Sequence, residues 1–381
     1  MSLLDPVELT QNLLRLISVN PPGDEEGCAR FLARVLDELG FETVLHRFGE
    51  RRFNLLATLG GAAGRAPLGF TGHLDTVPLG NAPWIQDPYA GEVKDGLVYG
   101  RGASDMKAGI AAFIAACAGM IEVLRNSNGL KIILTGGEET GCDGAKALCD
   151  AQPALLGKLG ALIVGEPTAN QIVIGHKGAL WLKAATVGVT AHGAMPDEGV
   201  NAIYGAADAI GRLRLFKLGA PHAEMGPPTI NVGTIHGGLN VNSVPDHAEF
   251  SIDMRTVPGM DHRCLMDRLH AHLGNVHLSS IVDLPPVYSE PDQSWVARVT
   301  ALSRSIVAPS GAPRTVQYFT DAAILNPASG YPPTVIVGPG EPQMAHKTDE
   351  FCRVDRLHQA VDIYRAILLD WIEGSVDGAD E

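Results

Sequence analysis

The sequence predicts an α/β protein of two domains, the second inserted into the first. Three observations carry that expectation. At 381 residues the chain is long for one hydrophobic core, and an apolar fraction of 45% is enough to fill two. Short apolar runs of strand length alternate with amphipathic helical stretches through the first part of the chain and again near its end. Between them, from about Gly178, the order becomes strand, helix, strand, strand, helix, strand. The expected domains are a doubly wound α/β domain from residues 1–177 and 288–381, and an inserted α+β domain of ferredoxin-like order at 178–287.

Residues 6–17 have helical spacing, with Leu9, Leu13, Leu14 and Ile17 on one face, and stop before Asn20-Pro21-Pro22-Gly23. A second amphipathic helix runs over 25–39, ends at Gly40 and leads into an alternating strand at 41–45. Strands follow at 54–59 and 68–72, joined by a Gly/Ala-rich turn at 60–67. A polar hairpin over 90–99 precedes a long apolar helix reaching Leu124, and further strands lie at 130–134 and 161–165. The insert contributes strands at 179–188, 229–235, 249–255 and 276–284, with helices at 200–213 and 262–273. The first domain resumes with a helix at 294–307 and a strand at 334–337, and a loop at 338–350 leads to a final helix at 355–371.

Composition narrows the partners. A net charge of −14 argues against nucleic acid or an anionic membrane, both of which require a basic footprint. No apolar run approaches the length that spans a bilayer, and Met1-Ser2-Leu3-Leu4-Asp5-Pro6 has no basic region followed by an apolar core, so the expected location is cytoplasmic. The six cysteines, Cys28, Cys117, Cys142, Cys149, Cys264 and Cys352, lack the paired spacing of a zinc ribbon or redox motif and read as reduced thiols.

The chemistry gathers at strand ends. The run ending at Leu134 delivers Thr135-Gly136-Gly137-Glu138-Glu139-Thr140-Gly141, where neighbouring carboxylates point different ways, so that one Glu can ligate a metal while the other stays free as acid or base. Another strand delivers His73 and Asp75, which share a side at i and i+2; His73 is the expected ligand and Asp75 the partner fixing its ring. Gly100-Arg101-Gly102 superficially resembles a dinucleotide loop, but no strand immediately precedes it and Asp105 would place negative charge where a pyrophosphate should lie. Glu166 ends another strand and His346 lies in the last long loop. His73, Asp105, Glu139, Glu166 and His346 form a ligand set without cysteine, as catalytic zinc, cobalt or manganese takes, and five ligands suit two ions sharing one carboxylate. On the insert, Arg255 offers a bidentate fork for a carboxylate. The remaining histidines, including His270 and His272, read as solvated side chains.

These residues sit in motifs that resemble the acetylornithine deacetylase / succinyl-diaminopimelate desuccinylase family, within the wider group of aminoacylases and glutamate carboxypeptidases. The resemblance runs from about Asp5 to the last helix. It rests on Gly72-His73-Leu74-Asp75-Thr76-Val77-Pro78, on Gly100-Arg101-Gly102 with Asp105-Met106-Lys107, and on Gly137-Glu138-Glu139-Thr140-Gly141. Gly165-Glu166-Pro167-Thr168, Ala191-His192-Gly193, Asn242-Ser243-Val244-Pro245 with Asp253-Met254-Arg255, and Gly338-Pro339-Gly340 with His346 extend it. It implies a zinc-exopeptidase-like catalytic domain in which Asp105 bridges two metals, His73 and Glu166 complete one site, Glu139 and His346 complete the other, and Glu138 is the general acid/base. It also implies Asn242 beside Arg255 in substrate binding, a homodimer through the inserted domain, and His192 placed in the partner's active site. The sequence departs from the family at Gly137, where Asp is usual, and at Gly193, where Ser is common.

The expected function is therefore removal of an acetyl or succinyl group from a small N-acyl amino acid, by hydroxide held between two divalent ions, most readily zinc. A dipeptidase or carboxypeptidase would need the same metals and clamp. A catalytically silent binding protein on the same scaffold would have no chemical need for all five ligands and Glu138.

Overall fold

The structure is a computed structural model that describes residues 4–61, 66–311 and 314–374. Residues 1–3, and 62–65 of the turn expected at 60–67, lie outside the described residues. The chain divides into two compact units: Met1–Gly175, Tyr288–Arg314 and Thr320–Glu381 make the first, His176–Val287 and Thr315–Phe319 the second. The last of these segments falls in the stretch expected to complete the first unit. It joins the second because Lys177 N–H donates to Val316 O (3.1 Å) and Thr315 Oγ1 to Glu224 O (3.0 Å).

The first unit is organised by a six-stranded sheet in the order Glu42–Gly49, Arg52–Leu59, Leu130–Thr135, Leu68–His73, Ala161–Val164, Thr334–Ile336. The first two strands run antiparallel and the other four are mutually parallel. Buried parallel strands need no alternation, and Leu68–His73 and Ala161–Val164 are buried along their whole length. Three of the parallel strands end next to His73, the Glu138-Glu139 turn and Glu166, and the fourth leads into the loop that carries His346. Open parallel sheets place ligands at these carboxyl ends.

The helix Ala108–Ala118 explains why the sheet is so well covered. Ten of its eleven residues are buried, so it is apolar all round rather than along one stripe. Its Gly109 allows a close approach: a Cβ there would lie 2.1 Å from Gly165 O. The apolar helix expected to reach Leu124 instead breaks at Gly119 and Met120 and restarts as Ile121–Arg125. The first helix also stops early, at Leu14. Buried Lys107 donates its Nζ hydrogens to Leu13 O (3.0 Å) and Leu16 O (2.8 Å), satisfying carbonyls at that helix end.

The second unit carries one antiparallel sheet in the order Thr229–Gly237, His247–Thr256, Gly178–Val187, His277–Leu284. The helices Ala202–Leu213 and His262–Leu273 start on side-chain caps. Asn201 Oδ1 accepts from Ile203 N (2.9 Å), and Asp261 Oδ1 from Cys264 N (2.8 Å). Leu180, Leu182, Ala206, Phe250, Ile252 and Leu269 belong to its separate core. All six cysteines are free, and Cys28, Cys117, Cys142 and Cys352 are buried. Two histidines are not the solvated side chains expected from sequence. His176 is fully buried, and His262 sits between Thr256 Oγ1 (2.7 Å) and Asp283 Oδ1 (2.6 Å).

In the first core Phe70 stacks on Phe113 with centroids 3.8 Å apart, and Tyr364 meets both rings edge-on while donating its hydroxyl to Val337 O (2.6 Å). Phe113→Ala is expected to cost about 3–5 kcal/mol, since removing a buried aromatic loses both transfer energy and packing. Urea unfolding followed by the signal of the first unit measures it. A loss near zero would mean that the three rings do not anchor this core.

Candidate active site

The site is built on backbone leaving the parallel strands. His73 ends one of them, and its Nδ1 lies 2.9 Å from the backbone carbonyl of Asp75, so Nδ1–H donates there and Nε2 is directed outward. Nε2 is 3.0 Å from Asp105 Oδ1 and 3.8 Å from Glu166 Oε1. Asp75 was expected to fix this ring; the contact comes from its backbone carbonyl, whereas the nearer oxygen of its carboxylate, Oδ1, is 3.7 Å from Nδ1. The carboxylate accepts instead from the backbone N–H of Glu138 (3.2 Å) and Glu139 (3.3 Å) and from Asn20 Nδ2 (2.9 Å). The turn after the next strand leaves those amides without strand partners, and a buried carboxylate is the acceptor they find.

Asp105 sits where the backbone is not helical, at φ −119° and ψ 92°, and its peptide to Met106 is cis. The second oxygen of Asp105 is 3.5 Å from His346 Nε2, which in turn is 3.0 Å from Glu139 Oε2. Ligand atoms of His73, Asp105 and Glu139 all lie within 4.8 Å of one another. Thus Asp105 stands between two histidines, with Glu166 beside one and Glu139 beside the other.

Burial sets the protonation of this cluster. It pushes Glu138 and Glu166 well above the usual carboxylate range; the neighbouring acids add to the effect and His73 offsets part of it. Glu139 is raised in the same way, by burial and then by Asp105. Burial also works against charge on Asp105, but His346 and His73 outweigh it and hold that carboxyl low. Glu139 Oε1 is buried with no hydrogen-bond partner among the described residues. An orphaned carboxylate oxygen, acids outnumbering imidazoles, and a His and carboxylate donor set all fit divalent cations.

The pattern of the peptidase family M20/M25/M40 matches residues 69–370. The chain belongs to that family. An acetylornithine deacetylase of Proteus mirabilis is 32% identical over 367 residues, covering 91% of each chain. A succinyl-diaminopimelate desuccinylase of Cereibacter sphaeroides is 31% identical, covering 97% of this chain and 99% of that one. Among solved structures, an M20 family metallo-carboxypeptidase of Sulfolobus solfataricus superposes with a TM-score of 0.78 at 18% identity, covering 97% and 99% of the two chains. A dinuclear metal-binding M20 peptidase of Bacillus subtilis superposes at 0.67 with 14% identity, covering 97% and 98%. As an M20 member the protein is a hydrolase acting on amide bonds, of a metal-dependent family.

Three expected residues of this M20 chain lie on the second unit. His192 is in an exposed turn that pairs with Ser243, and its Nδ1 accepts the Ala194 N–H (3.0 Å), which puts the neutral ring's proton on Nε2. Asn242 is next to that pairing: its carbonyl accepts from Gly193 N (2.8 Å), and a Cβ on Gly193 would lie 2.9 Å from Asn242 C. Arg255 is already engaged, with Nε 3.0 Å from Asp253 Oδ1 and its guanidinium 5.4 Å from the Trp181 ring centre.

Sequence reasoning missed Asp321 and Glu350. Asp321 is buried, takes a short hydrogen bond from Thr135 Oγ1, and is pushed up to about 6, by burial before any other cause. Thr320-Asp321 before Ala322-Ala323 reads only as a helix start, and Glu350 ends a polar run, so neither signals burial.

One pH dependence follows for the metal-free protein. Hydrogen bonds to Asp105 and Glu139 push His346 up to about 10 from 6.5. A raised pKa stabilises the fold fully below the unfolded value and is lost as pH climbs through the folded one. Stability is therefore expected to fall between about pH 6.5 and 10, and His346→Asn to flatten that fall. Thermal midpoints of both proteins across the window measure it.

Proposed function

We propose that this M20 hydrolase is a two-metal N-acyl amino acid deacylase that releases acetate or succinate, in the manner of acetylornithine deacetylases. The observation that carries the reading is Asp105 standing between His73 and His346, with the orphaned oxygen of Glu139 alongside. His73, Glu166 and Asp105 would hold one divalent ion, and Glu139, His346 and Asp105 the other, most readily zinc, with cobalt or manganese as substitutes. Bound there, such ions supply the positive charge that polarises an amide carbonyl and acidifies a water.

The chain's own groups do the rest. Glu138 is buried next to this set, and its backbone N–H is held by Asp75. Its carboxylate takes a proton from the attacking water and returns it to the leaving amine nitrogen. Arg255 grips the substrate's carboxylate, its fork already oriented by Asp253, with Asn242 assisting. His192 donates its Nε2 hydrogen to the oxygen that becomes negative as the carbonyl is attacked.

The same reading takes a homodimer through the second unit, in which His192 serves the partner's site. Two features of that unit support it: Thr229–Gly237 is a sheet edge, and Leu239 and Val241 beyond it are fully exposed. Free cysteines throughout suit a reducing compartment such as the cytoplasm.

Assay of the metal-loaded protein on N-acetyl, N-succinyl and dipeptide substrates tests the substrate class; cleavage of dipeptides alone would replace the deacylase reading. A chelator is expected to abolish turnover, and zinc or cobalt to restore it. Glu138→Ala should keep both ions and lose at least a hundredfold in kcat, whereas Glu139→Ala should lose an ion. Metal analysis and kinetics separate the two roles. For the shared site, Glu138→Ala and His192→Ala are each expected to be nearly inactive alone and to regain activity when unfolded and refolded together. One site of a mixed dimer would then have both residues. Verified mixed dimers without activity would return His192 to its own chain.

A further inference from the structure

Glu350 is fully buried, and its carboxylate is surrounded by donors that all come from one short stretch. Oε2 accepts from Arg101 Nη1 (2.6 Å) and Gly102 N (2.9 Å); Oε1 accepts from Ser104 N (2.8 Å) and Asp105 N (2.9 Å). Arg101, 1% exposed, gives its other three Nη hydrogens to Pro78 O (3.3 Å), Lys347 O (3.2 Å) and His346 O (3.5 Å), and lies over the Trp84 ring at 5.1 Å. The pair therefore touches three pieces of backbone: the one that leaves His73 and Asp75, the one that carries Asp105, and the one that carries His346.

Asp105 has no helix to fix it, because its own backbone angles are non-helical. His346 is in the same position, with φ at +64° in a loop and its side chain 56% exposed. Nothing regular in the local backbone dictates that these two side chains meet. We infer that the buried Arg101–Glu350 pair is a positioning device for the metal centre: it sets the backbone at Asp105 and at His346 so that one carboxylate reaches both histidines. Neither residue is a ligand in this assignment. Their charge is spent on amide and carbonyl groups, so they act through Asp105 and His346. The inference rests on the two-metal reading above.

The alternative is an ordinary buried ion pair that holds up the fold, and metal affinity tells the two apart. Zinc dissociation constants and stoichiometry are measured by competition with a chromophoric chelator, alongside circular dichroism and thermal midpoints of the metal-free proteins. Glu350→Gln keeps the shape but presents an amide NH2 to backbone N–H groups, and is expected to weaken zinc binding at least tenfold, with kcat falling more than KM rises. Arg101→Lys leaves the three amide bonds to Glu350 in place and loses the fork to Pro78 and Lys347, so its zinc binding should lie between Glu350→Gln and wild type. If Glu350→Gln fails to fold, Arg101→Lys is judged alone, by a zinc constant weakened at least threefold. Folded variants that bind zinc within twofold of wild type, whatever their thermal midpoints, would overturn the inference and leave the two-metal reading intact. Wild-type protein that binds no divalent cation would overturn that reading and this inference together.

Discussion

Buried negative charge is the constraint on which the first unit depends. Asp75, Asp105, Glu138, Glu139, Glu166 and Asp321 crowd the carboxyl ends of the parallel strands, and His73 and His346 are the cations ion-paired within the crowd. A carboxylate out of water is tolerated only where donors or opposite charge surround it. The fold meets this unevenly. Asp75 is satisfied by backbone amides and an asparagine, and Asp105 by two imidazoles. Glu138, Glu139 and Glu166 stay short of positive charge, which is why burial raises all three. The imbalance suits a cation, which would supply the charge that the protein withholds.

Much of this was legible in the sequence for one reason: parallel strands advertise themselves as short apolar runs, and the residues directly after them inherit a known place. His73, the Glu138-Glu139 turn and Glu166 each follow such a run, so their convergence could be argued before any coordinates. The alternation of strands and helices in the second unit was equally readable, because a half-buried antiparallel sheet shows its period directly, as His247–Thr256 does. Element ends were less so. Gly119 breaks an apolar helix that composition alone would continue, and Thr315–Phe319 joins the second unit through two hydrogen bonds that leave no pattern.

What the sequence hides is which atom of a residue is used. Asp75 was recognisable as a partner of His73, but the i, i+2 argument could not tell its carbonyl from its carboxylate, and the carbonyl turns out to hold the ring. Glu350 and Asp321 carry no periodic signal at all. A polar residue at the end of a polar run looks solvated, and only long-range closure of the chain brings Glu350 onto amides about 245 residues away.

The departure at Gly137 has a local cause of the same kind. Gly137 adopts φ +73°, and a Cβ there would lie 2.6 Å from Arg52 Nη2 and 3.0 Å from Asp143 Cβ. At Gly136 a Cβ would lie 2.7 Å from the carboxyl carbon of Glu25. Arg52 and Glu25 are themselves paired at 2.9 Å, and Glu25 is fully buried. The space beneath the Glu138-Glu139 turn is thus filled by an ion pair from two other elements, and two glycines in succession are what admit it. A side-chain carboxylate at 137 would add one more negative group to a set already short of cations and would displace the guanidinium. Arg52, paired with Glu25, instead occupies the space under the turn, and glycine suits both the positive φ and that close approach.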